Sequence, residues 1–279
     1  MLFRNSVIVI TSLFLAAFLL GFLNYTVLRF HLVDDPEPGV SFSEVEDAEQ
    51  DPADVQQDRD PEKILICLDP GHTVGTGRGN IEHFGQTESM LVWELSMMLE
   101  EGLRAKGFEV YQTRVDPYEE VSIAERAERA NALQADLLLS LHADLGGFSG
   151  YAFYVPDKPG LHESRVGPGE NVRKISRQIA ESLDESIGHV GPIRSLGVKS
   201  EEMTYFGHRT GGALPLSIHS EVPVTTLELG FLDGEVDGPF LVSVEGKRLW
   251  VDMLLEALDE DIFSERPARI LKFTDYGGE

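Results

Sequence analysis

The chain has 279 residues, 42% hydrophobic and 25% charged, which is enough for one core-bearing domain of catalytic size beside a membrane or targeting segment. Asp and Glu number 48 against 23 Lys and Arg, a formal charge of −25, so no basic surplus exists to neutralise phosphates and a nucleic-acid partner is not expected. The single cysteine, Cys67, excludes an intrachain disulfide framework and any cysteine-based zinc knuckle; a metal would have to be held by His and carboxylates.

Ser6 to Leu28 is a 23-residue run without a charge. As a helix it would extend roughly 35 Å, enough to cross a bilayer core. It is longer than the apolar region of a cleaved signal, and no clear Ala-x-Ala follows. Residues 1–33 are therefore expected to be a signal anchor, with a cleaved signal as the competing reading. The expected orientation puts the amino terminus in the cytoplasm and the remaining chain outside. In residues 34–62, twelve of 29 residues are Asp or Glu, only Arg59 is basic, and four prolines interrupt the run. Like charges with few apolar residues predict an extended acidic linker.

Residues 63–279 are expected to form the globular domain. ILICLD (Ile64–Asp69) is an apolar run ending in Asp-Pro-Gly, a buried strand followed by a loop. Glu88–Lys106 has helical spacing of Leu91, Leu95, Met98, Leu99 and Leu103, closed by Gly107. Phe108–Arg114 is a strand. Val121–Leu133 is a helix with Ile123, Ala127 and Ala130 inward and its charged residues outward. Ala135–Asp144 and Gly150–Val155 are strands, and Pro156–Glu170 is a loop. Asn171–Ile187 is an amphipathic helix, Thr204–His208 a short strand, Val224–Asp233 a buried strand and Leu241–Leu258 the last clear helix. Arg269–Thr274 has the pattern of an edge strand or docked extension. Strands alternating with helices predict an α/β class with a mostly parallel sheet.

In such sheets ligands sit beyond the carboxyl ends of strands, and His72, His142 and Glu228 each fall at or just past such an end. Two imidazoles with one carboxylate are a common catalytic zinc set that leaves a fourth position for water. Glu88, opening the first helix, can supply that carboxylate; Glu82 and Glu94 compete with it, and spacing alone does not decide among them. Glu228, inside TTLELGF, is costly to bury without a partner and suits a proton acceptor and donor.

LDPGH (68–72), Gly85–Glu88, VYQTR (110–114), ERANALQADLLLSLHAD (128–144) and TLELGFL (226–232) resemble, in order, the zinc-dependent N-acetylmuramoyl-L-alanine amidases of the Amidase_3 type. The resemblance spans about Ile64 to Leu258. It implies a three-layer α/β/α domain on a mixed sheet of about six strands. It further implies cleavage of the amide between N-acetylmuramic acid and L-alanine in peptidoglycan, Zn2+ held by His72, Glu88 and His142, and Glu228 as the catalytic glutamate. The chain departs from the family where Thr73-Val74 follow His72 and in the run GTGRGNIEHFGQTE, where His83 either approaches the metal in place of Glu88 or simply faces solvent. Arg114 matches a family arginine and is expected to form a structural ion pair. His208 and His219 are unassigned: each is expected to be structural or on the surface, with an oxyanion-assisting role as the alternative. Two other functions fit the same residues: a membrane-tethered amidase-like domain that binds wall or a partner without cutting, and a zinc peptidase acting on stem peptides.

Overall fold

The computed structural model describes Asp60 and residues 62–264. The membrane segment, nearly all of the acidic linker and the strand expected over Arg269–Thr274 lie outside the described residues. Among the described residues no helix is long and apolar enough to cross a membrane.

The chain enters through β1 (Leu65–Pro70). A 3-10 turn at Arg78–Asn80 and a small hairpin, β2 (Glu82–His83) and β3 (Gln86–Thr87), lead into α1 (Glu88–Ala105). β4 (Glu109–Gln112), α2 (Ile123–Ala132), β5 (Leu137–Asp144) and β6 (Tyr151–Val155) follow. A second hairpin, β7 (Gly160–His162) and β8 (Arg165–Gly167), precedes α3 (Glu170–Ile187). Next come β9 (His189–Val190), β10 (Ile193–Ser200), α4 (Tyr205–Thr210) and α5 (Pro215–His219). β11 (Val224–Phe231), α6 (Asp237–Leu241) and α7 (Val244–Ala257) complete the run, before a last 3-10 turn at Glu260–Phe263.

The main sheet has seven strands in the order β4-β1-β5-β11-β6-β10-β9. β4, β1, β5 and β11 are mutually parallel, β6 runs antiparallel to β11, β10 is parallel to β6, and β9 closes the edge antiparallel to β10. Parallel strands covered on both faces need apolar residues at successive positions, which is why β1 is buried throughout and Leu137, Leu138, Leu139 and Leu141 of β5 are all fully enclosed. Alternate side chains go to opposite faces. Ile66, Leu68, Leu139, Leu141, Leu227 and Leu229 join the larger core with α1, α3 and α7. Leu65, Cys67, Leu138 and Val224 join a smaller one with Ala127 and Ala130 of α2 and Leu216 of α5. The expected layered α/β arrangement on a mostly parallel sheet is what these residues build, with seven strands in place of about six.

Local signals set the helix ends. Thr87 caps α1 by accepting from the Met90 N–H, Ser122 caps α2 by accepting from Glu125, and Ser243 caps α7 by accepting from Gly246. The Ser243 cap divides the helix expected over Leu241–Leu258, so that α6 ends at Leu241 and α7 starts at Val244. Thr204–His208 is not a strand: Thr204 caps α4, and Gly207 packs so closely on the Glu201 carbonyl that a Cβ there would lie 1.9 Å from it. The loop expected over Pro156–Glu170 contains the β7–β8 hairpin. In α2, Ile123 is 48% exposed whereas Arg126 is buried, the reverse of the expectation for both.

Candidate metal centre at the carboxyl rim

β1 ends in Asp69-Pro70, and the chain turns sharply so that His72 adopts a positive φ of 60°. A non-glycine residue there is strained, and buried polar groups hold it. The Asp69 carboxylate accepts from Thr113 Oγ1 (2.6 Å), Ser140 Oγ (2.7 Å) and the Arg126 guanidinium (2.9 Å). Burial opposes its charge, but Arg126 and the two hydroxyls together hold its pKa below the usual carboxylate range. Arg126 also donates to the carbonyls of Pro70 and His72, each at 2.9 Å, so one guanidinium binds both sides of the turn. Arg114 is fully buried and donates to the Pro70 and Pro117 carbonyls while lying 4.9 Å from the Trp93 ring centroid. It braces the same turn through carbonyls; among the described residues no ion pair is formed by it, contrary to the expectation.

His142 lies near the end of β5, on the face shared by Leu138 and Ser140, and Glu228 sits directly beside it in register on β11. Glu88 is the first residue of α1 and reaches back over the sheet end. Its Oε2 is 3.0 Å from His72 Nε2, and its Oε1 is 3.0 Å from His142 Nδ1 while accepting from the Ala143 N–H at 3.1 Å. The two imidazoles meet edge to face with centroids 4.9 Å apart. One ligand atom from each of His72, Glu88 and His142 lies within 4.8 Å of the others. Two glycines permit this closeness: a Cβ on Gly71 would lie 2.3 Å from His142 Cε1, and one on Gly79 would lie 2.3 Å from His72 Cγ. Asn80 stitches the intervening loop together, accepting from Gly75 N–H and Ser89 Oγ and donating to the Thr73 carbonyl. The unusual run after His72 is thus a strap across the imidazole.

The electrostatics follow from this packing. Burial would raise the Glu88 pKa, but hydrogen bonds from His142 and His72 carry it down to about 2. Burial would lower that of His142, but the Glu88 contact, with Glu228 and Asp69 behind it, pushes it up to about 9. Glu228 is raised to about 8, chiefly by burial; His142 pulls the other way, while Asp144 and Glu88 add to the rise. Its Oε2 is buried with no hydrogen-bond partner. An orphaned carboxylate oxygen beside three clustered donors suits a cation and a water between them, so the residues present fit a divalent metal.

The structure therefore brings His72, Glu88, His142 and Glu228 to one rim. The competing acids do not join them: Glu94 pairs with Lys247 and Gln86, and Glu82 is exposed in β2. His83 is not part of the cluster, His208 is exposed in α4, and His219 lies before the amino end of β11, away from an oxyanion at the carboxyl rim. Sequence reasoning missed Arg126 and the Asp69 network, although Arg126 shares the inward face with Ala127, Ala130 and Leu133 at helical spacing.

Fold and site together define an α/β domain with a His/Glu/His group and a buried glutamate at the ends of its parallel strands. The Amidase_3 family profile, described as N-acetylmuramoyl-L-alanine amidase, matches residues 66–260, and the chain belongs to that family. An N-acetylmuramoyl-L-alanine amidase of Mycobacterium tuberculosis is 26% identical over 228 residues, covering 74% of this chain and 89% of the relative. The crystal structure of an N-acetylmuramoyl-L-alanine amidase from Clostridium difficile 630 has a similar fold, with a TM-score of 0.58 at 18% identity, covering 73% of this chain and 98% of that one. Cwp6 from Clostridium difficile also has a TM-score of 0.58, at 19% identity; the match covers 72% of this chain but only 29% of that longer one.

Proposed function

We propose that this chain is a zinc-dependent hydrolase that cuts the amide between N-acetylmuramic acid and L-alanine in peptidoglycan, with His72, Glu88 and His142 as the zinc ligands and Glu228 as the catalytic glutamate. The observation that carries this reading is the buried, unpartnered Oε2 of Glu228 next to the His/Glu/His group. When bound, zinc supplies Lewis acidity toward a water and a carbonyl oxygen. A divalent charge in the cluster also favours the ionised form of Glu228, against the burial that holds its proton in the metal-free protein. Glu228 Oε2 then takes a proton from the attacking water and returns it to the departing alanine nitrogen. Arg126 and Arg114 act through the turn, holding His72 in the strained conformation that aims it at Glu88.

The same reading makes residues 1–33 a signal anchor and 34–62 an acidic tether that together hold the catalytic domain on the outer side of a bacterial membrane, close to its substrate. Elemental analysis of the purified chain, together with mass analysis of muropeptides after digestion, tests the assignment. One zinc at the His/Glu/His group and release of intact stem peptides with a free L-alanine amine are expected. Cuts within the stem peptide would instead make it a peptidase, and zinc without cleavage would make it a binding module. Glu228→Gln should keep the zinc and lose turnover, whereas His72→Ala should lose both.

A further inference from the structure

A second His/Glu/His group lies at the opposite end of the sheet from the first. His162 closes β7, Glu163 follows it in the hairpin turn, and His219 ends α5. One ligand atom from each lies within 4.8 Å of the others. His219 comes shortly before the amino end of β11, and the hairpin follows the carboxyl end of β6, which runs antiparallel to β11. Both therefore sit at the amino rim of β11, whereas Glu228 and His142 lie toward its carboxyl rim.

We propose that His162, Glu163 and His219 form a second zinc-binding site, separate from the first, that fastens the β7–β8 hairpin to α5. His162 Nδ1 and His219 Nε2 are 3.0 Å apart. Two nitrogens on one tetrahedral zinc are separated by about 3.3 Å, so a small opening of the pair admits the ion. Imidazole and carboxylate are donors that zinc accepts, and a water completes four ligands.

The backbone on both sides is fixed before any metal arrives. Asn131 of α2 donates to the His219 carbonyl (2.9 Å) and accepts from the Glu221 N–H (2.7 Å). The hairpin presses on α5 through glycines: a Cβ on Gly167 would lie 2.3 Å from the Ile218 carbonyl oxygen, and one on Gly160 would lie 2.8 Å from Ile218 Cδ1. The nearest cation, Arg165, is engaged by the Ile218 carbonyl and by Glu221 Oε1 at 2.8 Å, which offsets its repulsion of an incoming ion. The turn itself holds Glu163 and Ser164 at φ of 46° and 67°. Such two-residue turns favour Asn-Gly, and bulkier residues are strained there. A ligand at Glu163 is a reason to tolerate that strain.

The test uses zinc alone on the full chain, counted by elemental analysis after gel filtration and followed by thermal unfolding. The wild type should hold two equivalents and His162→Ala one. The His72→Ala/His142→Ala variant should keep one, and added zinc should raise its Tm by roughly 5 °C. Adding His162→Ala to that variant should remove both the zinc and the shift. His162 is only half-buried on a hairpin, so its replacement leaves the core intact; Glu163→Gln, in an exposed turn, gives an independent reading by weakening this site alone. A single equivalent in the wild type that His162→Ala leaves unchanged overturns the proposal, as does a His72→Ala/His142→Ala protein that is folded and binds none. Loss of the first site's zinc in His72→Ala/His142→Ala with the second retained separates this inference from the catalytic reading.

Discussion

Glu228 should make the metal-free protein less stable at neutral pH than a variant without its charge. Burial raises its pKa from 4.5 to about 8, so in the folded chain the carboxyl keeps its proton while in the unfolded chain it ionises. A raised carboxyl pKa gives full stability below about 4.5 and loses it as pH climbs toward about 8. At pH 7 the interval above 4.5 is 2.5 units, worth about 3 kcal/mol at 1.36 kcal/mol per unit. The rim is partly open to solvent around this residue, which reduces the effect to about 1–3 kcal/mol. Glu228→Gln keeps the shape and removes the ionisation. Urea unfolding of both proteins in EDTA across pH 4.5 to 8.5 reads the difference directly. The variant should gain on the wild type as pH rises, with the two converging at the acid end, even though it has no turnover. A Glu228→Gln protein no more stable than wild type at pH 7 would mean that Glu228 is not desolvated as its surroundings imply.

Arg126→Met should destabilise the fold by about 3–5 kcal/mol, because it leaves the Asp69 carboxylate buried without its cation, and zinc affinity should fall with it as the His72 turn loosens; denaturant melts and zinc titration check both. Gly71→Ala should cost about 1–3 kcal/mol and at least tenfold in zinc affinity, since its methyl occupies the space of the His142 ring. Zinc uptake at pH 7 should release close to two protons at the first cluster, one from His142, raised to about 9, and one from Glu228, raised to about 8, and close to one when Glu228→Gln is added; calorimetry of the Glu163→Gln protein in buffers of different ionisation enthalpy counts the protons.

The buried parallel strands were legible because they carry unbroken apolar runs, and α1 and α3 because their apolar residues recur at helical spacing. β10 was not: it is half-exposed, turns at Gly197 with a φ of 82° and changes register between Ser195 and Val198, so neither an alternating nor a continuous pattern marks it. Thr204–His208 reads as a strand from its aromatics, but the Thr204 cap and the close seat of Gly207 decide for a helix. The four site residues stood out because each is a polar residue at the end of an apolar strand or at the start of a helix. Spacing left Glu88, Glu82 and Glu94 open and only the family resemblance chose Glu88; the coordinates give the physical reason, since the first turn of α1 reaches the sheet end while Glu94 is drawn off by Lys247. The second His/Glu/His group was illegible for another reason: His162 and His219 are 57 residues apart, on a hairpin and a short helix that carry little periodic signal.

The two cores explain why the chemistry gathers where it does. On β1, β5 and β11 the residues facing α1, α3 and α7 are apolar to the strand ends: Leu68, Leu141, Ala143, Leu227 and Leu229. On the opposite face the apolar set stops short at Leu65, Cys67, Leu138 and Val224. Beyond those positions the same face carries Asp69, Ser140, His142, Thr226 and Glu228, by the two-residue alternation of a strand. Short helices α2 and α5 cover the apolar half of this face, and the polar half continues to the carboxyl rim, where Glu88 reaches in from the other layer. Ordinary strand geometry thus brings His142 and Glu228 side by side, and the strained turn at His72 with the cap of α1 supplies the remaining two groups.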